Sequence, residues 1–249
     1  MLNVVLFGQK WFGSSVLKRL SKERGVNLLM AVAKDGDKRM AAAAELCGVR
    51  ILGNARPTDI PTGTDLIVSA HSHAFISEAV RLRSRYGGIG FHPSLLPVHR
   101  GRDAIRWAVK MRERVTGGTV YRLSNKVDGG NIIDQRHVFI RPDEDATELW
   151  RREIAPMGVD MLISAVCKYR DEGFVNGTGQ DESLATWEPS IDRPPLHRPD
   201  LPLIGYSGGT GEPEKLPDGL HPWTVAYAED DEEYRRYVIA VNSAPRLRP

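Results

Sequence analysis

The chain has 249 residues, 41% hydrophobic and 27% charged, with 34 basic side chains against 32 acidic ones. That suits one large domain, or a core domain with a small appendage. The interspersed charge, +2 overall with no basic stripe, argues against nucleic acid as a partner, and no stretch reaches the about 18 apolar residues that a membrane helix needs.

Residues 2–7 are apolar and read as a buried strand. The run is too short for a signal peptide and has no cationic leader. Gly8 opens a turn, and helical periodicity runs from Phe12 through Val16, Leu17 and Leu20. Residues 28–33 form a second strand, residues 41–47 a helix closed by Gly48, and residues 49–52 and 66–68 further strands. A helix is expected over 74–85 and a strand over 88–91. Short strands alternating with helices predict an α/β fold built on a Rossmann-like, mostly parallel sheet. A helix over 103–114 follows. Strands over 118–123 and 132–140 are close enough to pair antiparallel at the sheet edge. A long helix is expected over 145–170, capped by Asp143 or Asp145 and kinked or split by Pro156. After Gly173 prolines and glycines crowd the chain. The expected organisation is a Rossmann-like domain over 1–172, a linker or wrapping segment over 173–222, and a small irregular or β unit over 223–249. Cys47 and Cys167 lie in apolar helical patterns and read as free buried thiols of a cytoplasmic protein. No metal-ligand spacing is present in the sequence.

Two residues carry most of the chemical interest. His92 follows a parallel strand, at the sheet edge where α/β folds place ligands. Pro93 and Pro97 stiffen its loop. It is either a preorganised proton-transfer group or a histidine in a rigid turn. Asp128 precedes Gly129-Gly130 on a second loop. It is either a turn carboxylate or one positioned beside His92, where it would favour the imidazolium and help carry a proton at a carbonyl substrate.

A third candidate is the strand-to-helix turn holding Gly8, Gln9, Trp11, Gly13 and Ser14. It lacks the Gly-x-Gly-x-x-Gly and P-loop patterns. It is open to two readings: an anion site at a helix N-terminus, or simple strand-to-helix packing. His99, Arg100 and Arg102 are either ligands for an anionic substrate or members of a solvated loop. His71 and His73, two apart, do not favour a shared helical metal site.

His92-Pro-Ser-Leu-Leu-Pro97, Gly101 and Val127-Asp128-Gly129-Gly130 resemble the folate-dependent formyltransferase family over about residues 2–170. In detail, Gly8-Gln9, Phe12-Gly13, Phe75-Ile76, His99-Arg100-Gly101, Ala104-Ile105 and Trp107 are similar to the hydrolase domain of 10-formyltetrahydrofolate dehydrogenase. The resemblance implies a 10-formyltetrahydrofolate donor, with His92 and Asp128 catalytic. The pterin is expected against Leu123, Asn125, Lys126 and Val127, with His73 and Phe75 lining that pocket. The acceptor is expected from the side of Gly8, Gln9, Trp11, Gly13 and Ser14, with Arg100 contributing. Amine-accepting members usually carry Asn two residues before the histidine. Here that position is Gly90. An amine acceptor, such as an amino sugar nucleotide or other small molecule, is the leading expectation. The alternatives are hydrolysis to formate and folate binding without turnover. The C-terminal segment over 170–249 is expected to shape an acceptor site or a homodimer contact.

Overall fold

The computed structural model describes residues 1–72, 75–188 and 191. Seven strands form one sheet: β1 (Leu2–Gly8), β2 (Val26–Val32), β3 (Ile51–Leu52), β4 (Leu66–Ala70), β5 (Gly88–His92), β6 (Val115–Arg122) and β7 (Ile132–Phe139). Their spatial order is β3-β2-β1-β4-β5-β6-β7. The first five are parallel, and β6 and β7 run antiparallel at one edge. This is the Rossmann-like, mostly parallel sheet expected. β1 lies central, so Val4, Val5, Leu6 and Phe7 are buried whichever face they point to, as a strand covered on both sides requires.

The helices are α1 (Lys10–Leu20), α2 (Lys38–Leu46), α3 (Glu78–Arg81), α4 (Ala104–Lys110), α5 (Ala146–Leu149) and α6 (Ala155–Glu172). One sheet face packs Phe12, Val16, Leu17 and Leu20 of α1 with Met161, Leu162 and Val166 of α6 against Leu6, Leu66, Val68 and Ile89. The other face holds Val5, Phe7, Met30, Ile67, Ile76 and Val80. Each such side chain contributes about 1.5–3 kcal/mol on burial, so the two clusters hold β5 and the loop that follows it on a rigid support.

Several boundaries differ from expectation. The helix expected over 74–85 is reduced to the four residues of α3, because Ser77 turns back to accept from the Val80 N–H and starts the helix late. Residues 73 and 74 lie outside the described residues. The strand expected over 49–52 keeps only its last two residues, at the sheet edge. The long helix is split in three. Asp145, not Asp143, caps it, accepting from Thr147 and Glu148 while Glu148 reaches back. A π-helical turn over Trp150–Ile154 then leads into α6, where Pro156 sits in the first turn. Proline has no N–H to donate there, and the widened turn before it accommodates that loss.

Of the linker or wrapping segment expected over 173–222, residues 173–188 and 191 are described. It pairs with β7 through Thr178 and Ile132, whose amides each donate to the other's carbonyl at 2.8 Å. It ends in a bridge between Trp187 and Arg100. The unit expected over 223–249 lies outside the described residues. No helix among the described residues is long and apolar enough to cross a membrane.

Candidate active site

His92 is the last residue of β5, buried at the sheet edge. The loop after it is tied to the neighbouring strands by side chains. Thr119 of β6 accepts from the Leu96 N–H at 3.1 Å and donates to the Ser94 carbonyl at 2.7 Å. Gln135 of β7 donates to the Leu96 carbonyl at 2.9 Å, and Ser94 Oγ donates to the Val98 carbonyl at 2.6 Å. The Leu96–Pro97 peptide is cis. This bracing brings the His99 carbonyl back over the ring, where His92 Nε2–H donates to it at 2.7 Å. A carbonyl can only accept, so Nε2 carries the proton in the neutral ring and Nδ1 is the nitrogen left for chemistry.

Nδ1 faces Asp128 Oδ2 at 3.4 Å. The structure brings together the two residues whose pairing was one of the two readings of Asp128. Asp128 adopts φ +52, the left-handed conformation that Asn and Asp tolerate best among non-glycine residues. Its carboxylate is held by two other donors: the Gly101 N–H to Oδ2 at 2.8 Å and the Tyr121 hydroxyl to Oδ1 at 2.5 Å. Burial, and then the Asp128 charge and hydrogen bond, push the Tyr121 phenol well above its ordinary range, so it stays a donor.

A second ionic cluster sits behind the first. His99 is 3% exposed, with Nδ1 on Glu188 Oε2 and Nε2 on Glu113 Oε1, both at 2.8 Å. Both nitrogens face carboxylates, so both donate and the ring is an imidazolium. Burial alone would lower its pKa. The hydrogen bonds and charges of Glu113 and Glu188 outweigh burial and hold it up to about 9.

Arg100 departs from expectation. It is 0% exposed, and its guanidinium donates to Gln180 Oε1 and both carboxylate oxygens of Glu182 at 2.7–3.1 Å. With its donors so engaged it serves as an internal brace, not as a surface cation for an anionic substrate. Gln180 completes that brace by donating to the Asp128 and Gly130 carbonyls, each at 2.7 Å. The loop of His92 and the loop of Asp128 are thereby joined through one side chain of the wrapping segment.

The Gly8–Ser14 turn is built mainly by packing. A Cβ on Gly13 would lie 2.7 Å from the Gly8 carbonyl carbon, so helix and strand meet at bare backbone. Ser14 Oγ donates to the Trp11 carbonyl, and the Lys10 N–H is taken by Asp37 Oδ2 at 2.6 Å. Gln9 is buried, and Trp11 is exposed. In the loop expected to meet the pterin, Leu123 packs over Gly88 and Gly90. Asn125 Oδ1 accepts from Arg81, Lys126 is exposed near Glu182, 3.8 Å away, and Val127 is half-buried. Phe75 is 64% exposed. His73 lies outside the described residues.

Sequence inspection missed Tyr121, Arg81, Glu113, Gln180 and Glu188. Tyr121 had a detectable signal: it shares a sheet face with Thr119 in the period-two pattern of β6. Arg81 had none, because a buried arginine in a short helix looks like any exposed one. Burial lowers its pKa, and Nη1 donates to the Ile76 carbonyl at 2.5 Å.

A mostly parallel α/β sheet with a His–Asp pair at its carboxyl edge defines an enzyme-like architecture. Residues 60–166 match the formyl transferase family. It is 32% identical over 202 residues to the mitochondrial 10-formyltetrahydrofolate dehydrogenase of Mus musculus, a match covering 75% of this chain and 22% of that protein. The chain thus spans about a fifth of the length of that relative. Among solved structures, glycinamide ribonucleotide transformylase 1 from Symbiobacterium toebii superposes with TM-score 0.60 at 20% identity, covering 69% of this chain and 89% of that one. An N-formyltransferase from Helicobacter canadensis, solved with folinic acid and dTDP-3-aminofucose, superposes with TM-score 0.63 at 13% identity, covering 99% and 84%. These two likenesses establish the shared fold.

Proposed function

We propose that this protein removes the formyl group from 10-formyltetrahydrofolate and passes it to an amine, with an amino sugar nucleotide the favoured class of acceptor. The observation that carries this reading is the buried pair of His92 Nδ1 and Asp128 Oδ2 at 3.4 Å, at the sheet edge of a formyl transferase domain. The folate relatives support the donor. The Helicobacter canadensis N-formyltransferase, solved with an amino sugar nucleotide, supports the acceptor class.

The chemistry follows from the side chains. An amine nitrogen attacks the formyl carbon, and negative charge develops on the formyl oxygen. His92, protonated at Nδ1, donates a hydrogen bond to that oxygen. Asp128 compensates the charge of the imidazolium from 3.4 Å, and the His99 carbonyl fixes the ring's orientation through Nε2. The C–N10 bond breaks, N10 takes a proton, and the amine gives one up, so the His–Asp pair is returned unchanged. The 3.4 Å separation is longer than a well-made hydrogen bond, which leaves the Nδ1 proton available to a reacting oxygen.

Hydrolysis is the second reading, and Gly90 favours it. A Cβ at position 90, where the resemblance puts a side-chain amide in amine-accepting members, would meet Leu123 at 3.0 Å and Tyr121 at 3.4 Å. Incubating the protein with 10-formyltetrahydrofolate, first alone and then with a panel of amino sugar nucleotides, separates the two. The amine reading expects a product heavier by one formyl unit and slow formate release without acceptor. Rapid formate release from the donor alone would sink it in favour of the hydrolase.

A further inference from the structure

We propose that Tyr121 is the positioning residue of the His92–Asp128 pair, and that it occupies the place of the side chain missing at Gly90. The antiparallel register sets Tyr121 directly opposite Gly90. A Cβ built on Gly90 would lie 3.0 Å from Leu123 Cδ2, 3.4 Å from Tyr121 Cε1 and 3.5 Å from Ser69 Cβ. The tyrosine ring and Leu123 therefore line the space that a side chain at position 90 would enter, Leu123 so close that it would have to give by a few tenths of an ångström. From there the tyrosine hydroxyl reaches Asp128 Oδ1 at 2.5 Å.

The carboxylate needs that contact. At 3.4 Å, His92 Nδ1 is too far from Oδ2 to fix it by a hydrogen bond of its own. The Gly101 N–H holds Oδ2 at 2.8 Å, but one anchor leaves the group free to swing about the anchored oxygen. Tyr121 supplies the second anchor and so sets the plane of the carboxylate. The two anchors have independent supports: Gly101 belongs to the loop that follows His92, and Tyr121 to β6. The hydroxyl is well placed for this task, because Tyr121 is 7% exposed and remains protonated. Gly90 offers no side-chain amide to the developing oxyanion, so in this reading His92 is the side chain that stabilises it.

The kinetic arm of the test rests on the proposed function; a spectroscopic arm does not. Tyr121→Phe keeps the ring that packs against Gly90 and removes only the hydroxyl. A carboxylate displaced by about an ångström should lower kcat roughly 100-fold and leave KM for 10-formyltetrahydrofolate within about threefold, since ground-state binding is untouched. In the nitrogen-15 spectrum the His92 Nδ1 resonance should be displaced, and the Nε2 resonance, held by the His99 carbonyl, should stay. A displaced Nδ1 resonance in a protein whose wild type is inert toward 10-formyltetrahydrofolate would uphold the positioning role and remove the proposed substrate. A raised KM at unchanged kcat would overturn the proposal and make Tyr121 a wall of the donor pocket. Unchanged kcat with an unmoved Nδ1 resonance would overturn it as well.

Discussion

Replacing His99 with glutamine removes an imidazolium that the fold has buried between two carboxylates, and the cost should depend on pH in a defined direction. The ring is held up to about 9 in the folded chain against an ordinary 6.5. A histidine whose pKa rises on folding contributes stability that is fully present below its unfolded value and is lost as pH climbs through its folded value. The window here runs from about 6.5 to about 9. The displacement corresponds to roughly 3 kcal/mol, and the near-complete burial of His99 means solvent screens little of it. Urea unfolding followed by circular dichroism, at about pH 6, 7.5 and 10, should show the stability gap between wild type and His99→Gln shrinking by about 3 kcal/mol across the range. About two-thirds of it should remain at the middle point. A gap that stays constant would refute the clamped imidazolium and the pairing with Glu113 and Glu188. The consequence reaches the active site, because the His99 carbonyl holds His92 Nε2.

Gly101→Ala should destabilise the protein by about 1–3 kcal/mol, because φ is +92 and the new methyl would lie 2.5 Å from Trp187 Nε1; an unchanged thermal midpoint would contradict this packing. Gln180→Ala should cost about 1–3 kcal/mol, measured by urea unfolding. It leaves the Asp128 and Gly130 carbonyls without that donor and Arg100 without that acceptor, and a neutral variant would show that the loops of His92 and Asp128 do not depend on the brace. Gly90→Asn should fail to raise amine formylation and should lower stability by about 1–3 kcal/mol, since Leu123 would have to give way to a new Cβ 3.0 Å away. A stable variant with faster amine transfer would contradict that account.

Much of the fold is legible in the chain because buried parallel strands are continuous apolar runs, as in β1 and β4, and α1 has one strongly apolar face. Boundaries set by single side chains were harder to see. Ser77 starts α3 late, and Pro156 goes with a π-helical turn, not a simple kink. At the site, His92 and Asp128 were visible because a proline-braced loop and an acidic glycine turn are local signals. Their partners were not. Tyr121 meets Asp128 only through strand register, and Gln180, Glu182 and Glu188 arrive on a segment whose docking no local pattern encodes. Arg100 misled for the same reason: whether an arginine on a loop meets solvent or two acceptors from a distant segment depends on what that segment lays over it.

The most direct test of the His92–Asp128 assignment is the rate at which 10-formyltetrahydrofolate loses its formyl group with wild-type protein and with Asp128→Asn, followed by mass spectrometry with and without amine acceptors. Asparagine keeps the shape of the group and removes its charge, so the variant should be slower by about 10³–10⁴-fold while still binding the folate. Equal rates in the two proteins, or no loss of the formyl group from the donor with the wild type under any condition, would contradict the assignment.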